Sequence, residues 1–169
     1  GAGEQAGAHL VGIGRRRIAF LGDASDHAPE FQDRYDGLCR AMRSAGLEPD
    51  PALQRDAVSS EDPGYAAAHS LLAGGQSSDA ILAASDLIAI GAMRALAEAG
   101  LRLPQEVAVI GFDDIPAASL TSPTLTTVMQ DMKGAGTLLV DALLARIEDR
   151  PVEQRMLPAR LIKRQSTAV

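Results

Sequence analysis

Val107-Ala108-Val109-Ile110-Gly111-Phe112-Asp113-Asp114 is the stretch on which the reading of this 169-residue chain turns. Four consecutive apolar residues are too few for a helix, and an abrupt acidic ending marks a buried strand leaving the core at a polar edge. The same grammar occurs twice upstream. Ile18-Ala19-Phe20-Leu21 runs into Gly22-Asp23, and Ala80-Ile81-Leu82-Ala83-Ala84 runs into Ser85-Asp86. A weaker strand is expected around Gln54 to Val58. Between these runs the apolar residues fall at helical spacing: Tyr35, Leu38, Cys39 and Met42, then Tyr65, Ala68, His69 and Leu72, then Ala89, Ala92, Met93 and Leu96. Gly46, Gly74-Gly75 and Gly100 stop them, and Pro63 suits a first helical turn. A first helix carries Ala6, His9, Leu10 and Ile13 and halts at Gly14.

Strands that are apolar throughout, alternating with amphipathic helices, predict an α/β fold with a parallel sheet covered by helices on both faces, three layers in all. Right-handed crossovers then bring the strand carboxyl ends to one edge. Asp23, Ser85-Asp86 and Asp113-Asp114 gather there, where open α/β sheets hold their ligands. After Asp114 the rhythm changes. Residues 115–127 read as a crossing segment, Leu139, Val140, Leu143 and Ile147 as one side of a helix broken by Asp149-Arg150-Pro151, and Met156 to Lys163 as a last strand.

Composition narrows the function classes. Hydrophobic residues make up 46 % and charged residues 22 %, as expected of a globular domain with an aliphatic core. A formal charge of −6 speaks against nucleic-acid binding by this piece alone. One cysteine, Cys39, excludes an internal disulfide framework and reads as a small core residue. No apolar run approaches a membrane span and no signal peptide opens the chain, so a cytoplasmic location and no membrane partner are expected. Gly1-Ala2-Gly3-Glu4-Gln5-Ala6 has the letters of a dinucleotide loop without the strand that must precede it. His9, His27 and His69 lack metal-ligand spacing, and His9 and His69 are expected at helix–sheet contacts. Arg15-Arg16-Arg17 reads as a solvated cluster after a helix end. No nucleophile–base pair or cofactor loop is found, so neither an enzyme nor a resident cofactor or metal is expected.

Seven segments in order resemble the LacI/GalR family of bacterial transcription regulators. They are Ala6-Gly7-Ala8-His9-Leu10 with Gly14 to Gly22; Arg34-Tyr35-Asp36-Gly37-Leu38; Ala84-Ser85-Asp86; Ala89 to Leu96; Val109 to Asp114; Leu125 to Asp131; and Leu157-Pro158 through Arg164-Gln165-Ser166-Thr167. The resemblance implies the effector-binding domain of such a regulator, a periplasmic-binding-protein-like fold of type I. Ligand would sit between two lobes, and this chain would carry mainly the carboxy-terminal one. It implies residues 1–14 as a helix of the amino-terminal lobe, 15–114 as the carboxy-terminal lobe, 115–150 as crossing segment, strand and helix of the amino-terminal lobe, and 151–169 as the final strand of the carboxy-terminal lobe. The DNA-binding head and part of the first lobe would be absent from this piece.

By the same resemblance Arg34 would grip hydroxyls or a carboxylate of a sugar-like effector, as a planar guanidinium can. From spacing alone it could equally pair with Asp33 or Asp36 at the surface. Ser85 would contact ligand or cap a helix. Asp113 would accept hydrogen bonds from effector hydroxyls, Phe112 would wall the site, and Gln130 would reach it from the crossing segment. Ala57 lies near where relatives place a stacking aromatic residue. The expected partners are a small sugar-like effector, a second copy in a homodimer, and operator DNA reached only through the missing helix-turn-helix head. Ala92, Leu96 and Leu71 are candidates for the dimer face. The competing reading is a periplasmic sugar-binding protein of a transporter.

Overall fold

The computed structural model describes residues 1–130, 132–148, 150–151 and 158–168. Helices α1 (Ala2–Gly12), α2 (Pro29–Ser44), α3 (Glu61–Ala73), α4 (Asp86–Glu98) and α5 (Met132–Ile147) alternate with strands β1 (Ile18–Leu21), β2 (Gln54–Arg55), β3 (Ala80–Ala83), β4 (Ala108–Phe112), β5 (Thr126–Gln130) and β6 (Ala159–Ile162). One six-stranded sheet runs β2-β1-β3-β4-β5-β6. The first five strands are parallel, and β6 returns antiparallel beside β5. Every residue of β1, β3 and β4 is buried, as strands covered on both faces must be.

Chain direction dictates the layers. From β1 the chain steps outward to β2 through α2, then reverses across β1 to β3 through α3 and continues to β4 through α4. Right-handed connections that step in opposite directions put their helices on opposite faces. So α2, joined by α1, forms one layer, and α3 with α4 forms the other. Glycine lets each helix pair meet backbone to backbone. A Cβ on Gly37 would lie 2.5 Å from the Glu4 amide nitrogen, and one on Gly91 only 1.9 Å from the Glu61 carbonyl.

The expected α/β class and parallel sheet hold, and the strand cores Ile18–Leu21 and Ala80–Ala83 fall where expected. Two placements are corrected. Residues 1–14 are not set apart from the sheet: Ala6 and Leu10 are fully buried in the same core as β1, β3 and β4. Residues 126–130 likewise belong to this sheet, with Ile110 in register with Thr126 and Phe112 with Val128. Thr126, Thr127 and Val128 are buried, so the strand was hidden by hydroxyl side chains that break an apolar run. Of the expected last strand, Ala159–Ile162 pairs with β5, while Met156 and Leu157 lie outside the described residues, as does Asp149 at the helix break.

Smaller expectations shift too. Arg15 is partly buried and donates to the Pro104 carbonyl at 2.5 Å, while Arg16 and Arg17 are exposed as expected and their backbone amides donate to the Asp79 carboxylate. His9 does sit at a contact, bonded to Thr167 at 3.0 Å, and burial lowers its pKa. His69 is exposed and stacks on Tyr65, a side-by-side ring contact within α3 and not a helix–sheet one. Ala92, Leu96 and Leu71 all lie in the core, because the α3–α4 contact and the sheet consume those faces; they cannot form a dimer surface.

Candidate functional site

The strand order reverses between β1 and β3, and open α/β sheets hold ligands outside the carboxyl ends of their strands at such a point. Around it stand Gly22-Asp23 after β1, Ala84-Ser85 after β3, Asp113-Asp114 after β4, and Gln130 at the end of β5. Arg34 reaches this edge from the second turn of α2. It is a buried arginine, only 8 % exposed. Its Nη1 donates to the Ala84 carbonyl, and its Nη2 lies 3.6 Å from Asp113 Oδ1. The guanidinium lies 4.6 Å from the Phe112 ring centroid and 5.4 Å from that of Phe31. Neither Asp33 nor Asp36 is its partner.

Burial lowers the Arg34 pKa, opposed by the nearby carboxylates of Asp113, Glu30 and Asp86. Burial raises the Asp113 pKa, and Arg34 pulls it back. The Asp113 side chain stays 42 % exposed, so its oxygens remain open to a ligand while Arg34 anchors one of them. Its backbone is left-handed, with φ of 102°, and Asp114 follows at 51°. Such angles are uncommon outside glycine, and Asp tolerates them better than most residues. Asp114 turns the other way and accepts from Arg164 Nη2 at 2.6 Å.

The remaining expected residues separate. Phe112 is fully buried, a platform beneath Arg34. Ser85 is 2 % exposed and caps α4, accepting from the Ile88 amide at 3.4 Å. Ser59 also donates to it at 2.8 Å, so Ser59 is the exposed hydroxyl at that corner. Gln130 is half-buried, two residues beyond the Phe112–Val128 register pair on the same edge. Ala57 is buried, whereas Val58 beside it is 65 % exposed.

Sequence reasoning passed over Ser59 and Phe31, and it placed Asp86 at the carboxyl edge and Arg164 in a family segment without giving either a role. Asp86 is the most consequential: it is 1 % exposed, and burial pushes its pKa up to about 6, against the pull of hydrogen bonds from Thr127 and Ile115. The signal was available, since Ser-Asp at a strand end places one residue at the helix cap and the next inside its first turn. Among the described residues no group of three His, Cys, Asp or Glu is placed to hold a metal ion, and no helix is long and apolar enough to cross a membrane.

Comparison with known proteins places this geometry in context. The sequence profile of the periplasmic binding protein-like domain matches residues 8–167. The HTH-type transcriptional regulator CelR of Thermobifida fusca is 35 % identical over 96 % of this chain and 46 % of its own. The ribose operon repressor of Escherichia coli is 34 % identical over 92 % of this chain and 47 % of its own. Among solved structures, a CelR–cellobiose complex superposes with a TM-score of 0.91 at 34 % identity, covering 98 % of this chain and 51 % of that one. The lac repressor dimer bound to operator and the anti-inducer ONPF gives 0.91 at 31 % identity, covering 99 % and 50 %. The chain spans about half the length of the curated relatives it matches. With the family profile covering nearly all of it, the chain belongs to the periplasmic binding protein-like domain family, in the form carried as effector-binding domain by LacI/GalR regulators.

Proposed function

We propose that this chain is the larger part of the effector-sensing domain of a cytoplasmic LacI/GalR-type regulator, and that it binds a sugar or sugar derivative at the carboxyl edge of its sheet. The observation that carries this reading is the Arg34–Asp113 pair: a buried cation held on an aromatic platform beside a half-exposed carboxylate. A guanidinium supplies donors and a carboxylate supplies acceptors, the complement of a hydroxyl that does both. Ser59 and Gln130 add polar groups on the neighbouring strand ends. Ser85 acts from behind Ser59 as a cap, and Phe112 from beneath Arg34.

In this reading α5 belongs to a second lobe. Leu139, Leu143 and Ile147 follow one another at four-residue spacing and are 72 %, 63 % and 74 % exposed. A stripe of that kind is a helix face awaiting a sheet. Closure of the two lobes on ligand would shift the balance between conformations, and so bias operator binding by a helix-turn-helix head in a dimer. The similarity to transcriptional regulators favours this over a transporter's binding protein. A thermal-shift screen of the full-length protein with ribose, glucose, cellobiose and related sugars tests the ligand class. Stabilisation by at least one sugar is expected, and a uniformly flat screen contradicts it.

A further inference from the structure

The geometry points to Asp86 as a positioning residue whose buried carboxylate fixes the Asp113–Asp114 turn and thereby aims Asp113. That Asp113 meets a ligand rests on the reading above; that Asp86 holds the turn does not.

Asp86 touches no surface. Its Oδ1 accepts from Thr127 Oγ1 at 2.6 Å, and its Oδ2 accepts from the Ile115 amide at 2.9 Å. Thr127 Oγ1 in turn accepts from the Asp114 amide at 3.3 Å. The chain of bonds is therefore continuous: the Asp114 N–H to the Thr127 hydroxyl, that hydroxyl to the Asp86 carboxylate, and the carboxylate back to the Ile115 N–H. Two successive amides of the turn are thus tied to one carboxylate on α4 and one hydroxyl on β5. Room for it comes from Gly111, where a Cβ would lie 2.2 Å from Asp86 Oδ1. Both turn residues are left-handed, a conformation that persists when its surroundings hold it.

Only the ionised carboxylate completes this chain. The Ile115 N–H can only donate, so a proton added to Asp86 goes to the oxygen facing Thr127. Thr127 Oγ1 would then accept from both Asp86 and Asp114, and its own proton would lose its partner in the fully buried surroundings of that residue. The charged groups that face Asp86 are Asp113 and Asp114 on the turn, which resist its ionisation, and Arg34 on α2, which it stabilises in the charged form. Burial and the neighbouring carboxylates favour the neutral acid while the two hydrogen bonds favour the carboxylate, and the balance sets the exchange between them at about pH 6.

The test follows the Asp114 and Ile115 amide resonances of the isotope-labelled full-length protein, with the Asp86 carboxyl carbon, from about pH 4.5 to 8. Wild type, Asp86→Asn, Thr127→Ser and Thr127→Val are compared, each in an Asp113→Asn background so that the neighbouring carboxyl does not titrate. Both amides are expected to share the inflection of the Asp86 carbon in wild type and in Thr127→Ser, and to lose it in Asp86→Asn. In Thr127→Val only Asp114 should lose it, because Ile115 contacts the carboxylate directly. An inflection that survives Asp86→Asn, or amides that never follow the Asp86 carbon, overturns the assignment. If Asp86→Asn fails to fold, the contrast between Thr127→Val and Thr127→Ser decides alone. No sugar enters this measurement, so its outcome and that of the ligand screen stand apart.

Discussion

Arg34 and Asp113 make sense only as a pair, and their substitutions separate two roles. Asp113→Ala removes an accessible acceptor and leaves Arg34 its bond to the Ala84 carbonyl. The fold should survive with a lower melting temperature, because alanine tolerates a φ of 102° less well than Asp, and effector affinity should fall at least tenfold, as loss of a charge-assisted hydrogen bond of about 1.5–3 kcal/mol implies. Operator binding should persist while its response to effector is lost. Calorimetric titration checks the first claim and a mobility shift the second. Arg34→Lys keeps the charge but loses the planar fork that reaches Ala84 and Asp113 together. It should weaken binding comparably and also lower the melting temperature, because an ammonium strands the buried carbonyl. For Asp86 the sign of the linkage is opposite to that of a surface carboxylate. Its folded pKa lies above the ordinary value of 3.8, near 6, so the folded state holds the proton longer than the unfolded chain. Stability from this group is full below about pH 4 and falls as pH rises through about 6, by at most roughly 3 kcal/mol. Asp86→Asn should therefore gain on wild type in melting temperature as pH rises from about 4 to about 6.5. A difference that is constant across that range contradicts the account.

At the level of elements, the helix pairs are set by glycine. Gly91→Ala would gain up to about 1 kcal/mol in helix propensity. Its Cβ would also meet the Glu61 carbonyl at 1.9 Å and the Tyr65 amide at 2.7 Å, both backbone atoms that cannot swing aside. The clash should win, with a net loss of about 1–3 kcal/mol. Gly12→Ala is the matched control: nothing lies within 4 Å of its added Cβ. It should be neutral or stabilising by about 0.5–1 kcal/mol, read from the two melting temperatures. Elements of this kind were legible to the extent that one force dominated them. Ile18–Leu21 and Ala80–Ala83 are apolar on both faces, so hydrophobicity alone marks them. Thr126-Thr127 is just as buried, but its hydroxyls are satisfied by the Arg164 carbonyl, Thr167 and Asp86, partners distant in sequence and invisible until the chain folds. The site divides the same way. Arg34 and Asp113 were reachable through a resemblance, and their pairing was not, because it joins α2 to β4 across the core. Ser59 matters through what it bonds to, which no local pattern announces, and the Ser-Asp ending of β3 marks Asp86 without announcing its partners Thr127 and Ile115.

At the scale of the whole molecule, the chain is a near-complete sheet with one helix left over. α1 to α4 bury their apolar sides against the sheet and one another, while α5 shows Leu139, Val140, Leu143, Leu144 and Ile147 to solvent. On the two-lobe reading this 169-residue chain offers a ligand one wall of its site. Each hydrogen bond missing from the other wall is worth about 0.5–1.5 kcal/mol, and those that remain compete with water. The isolated chain should bind effector weaker than the full-length protein by orders of magnitude; affinities within about threefold, under 1 kcal/mol apart, contradict that reading. The exposed stripe should also drive the isolated chain to associate, and Leu143→Glu should reverse this in light scattering without affecting the sheet. The central claim, that the carboxyl edge of the sheet around Arg34 and Asp113 is the effector site, is tested most directly by thermal shift of full-length wild type and Asp113→Ala against the same sugar panel. The account predicts that a sugar raising the melting temperature of wild type leaves that of Asp113→Ala unmoved at the same concentration. A sugar that stabilises both proteins equally would place the site elsewhere.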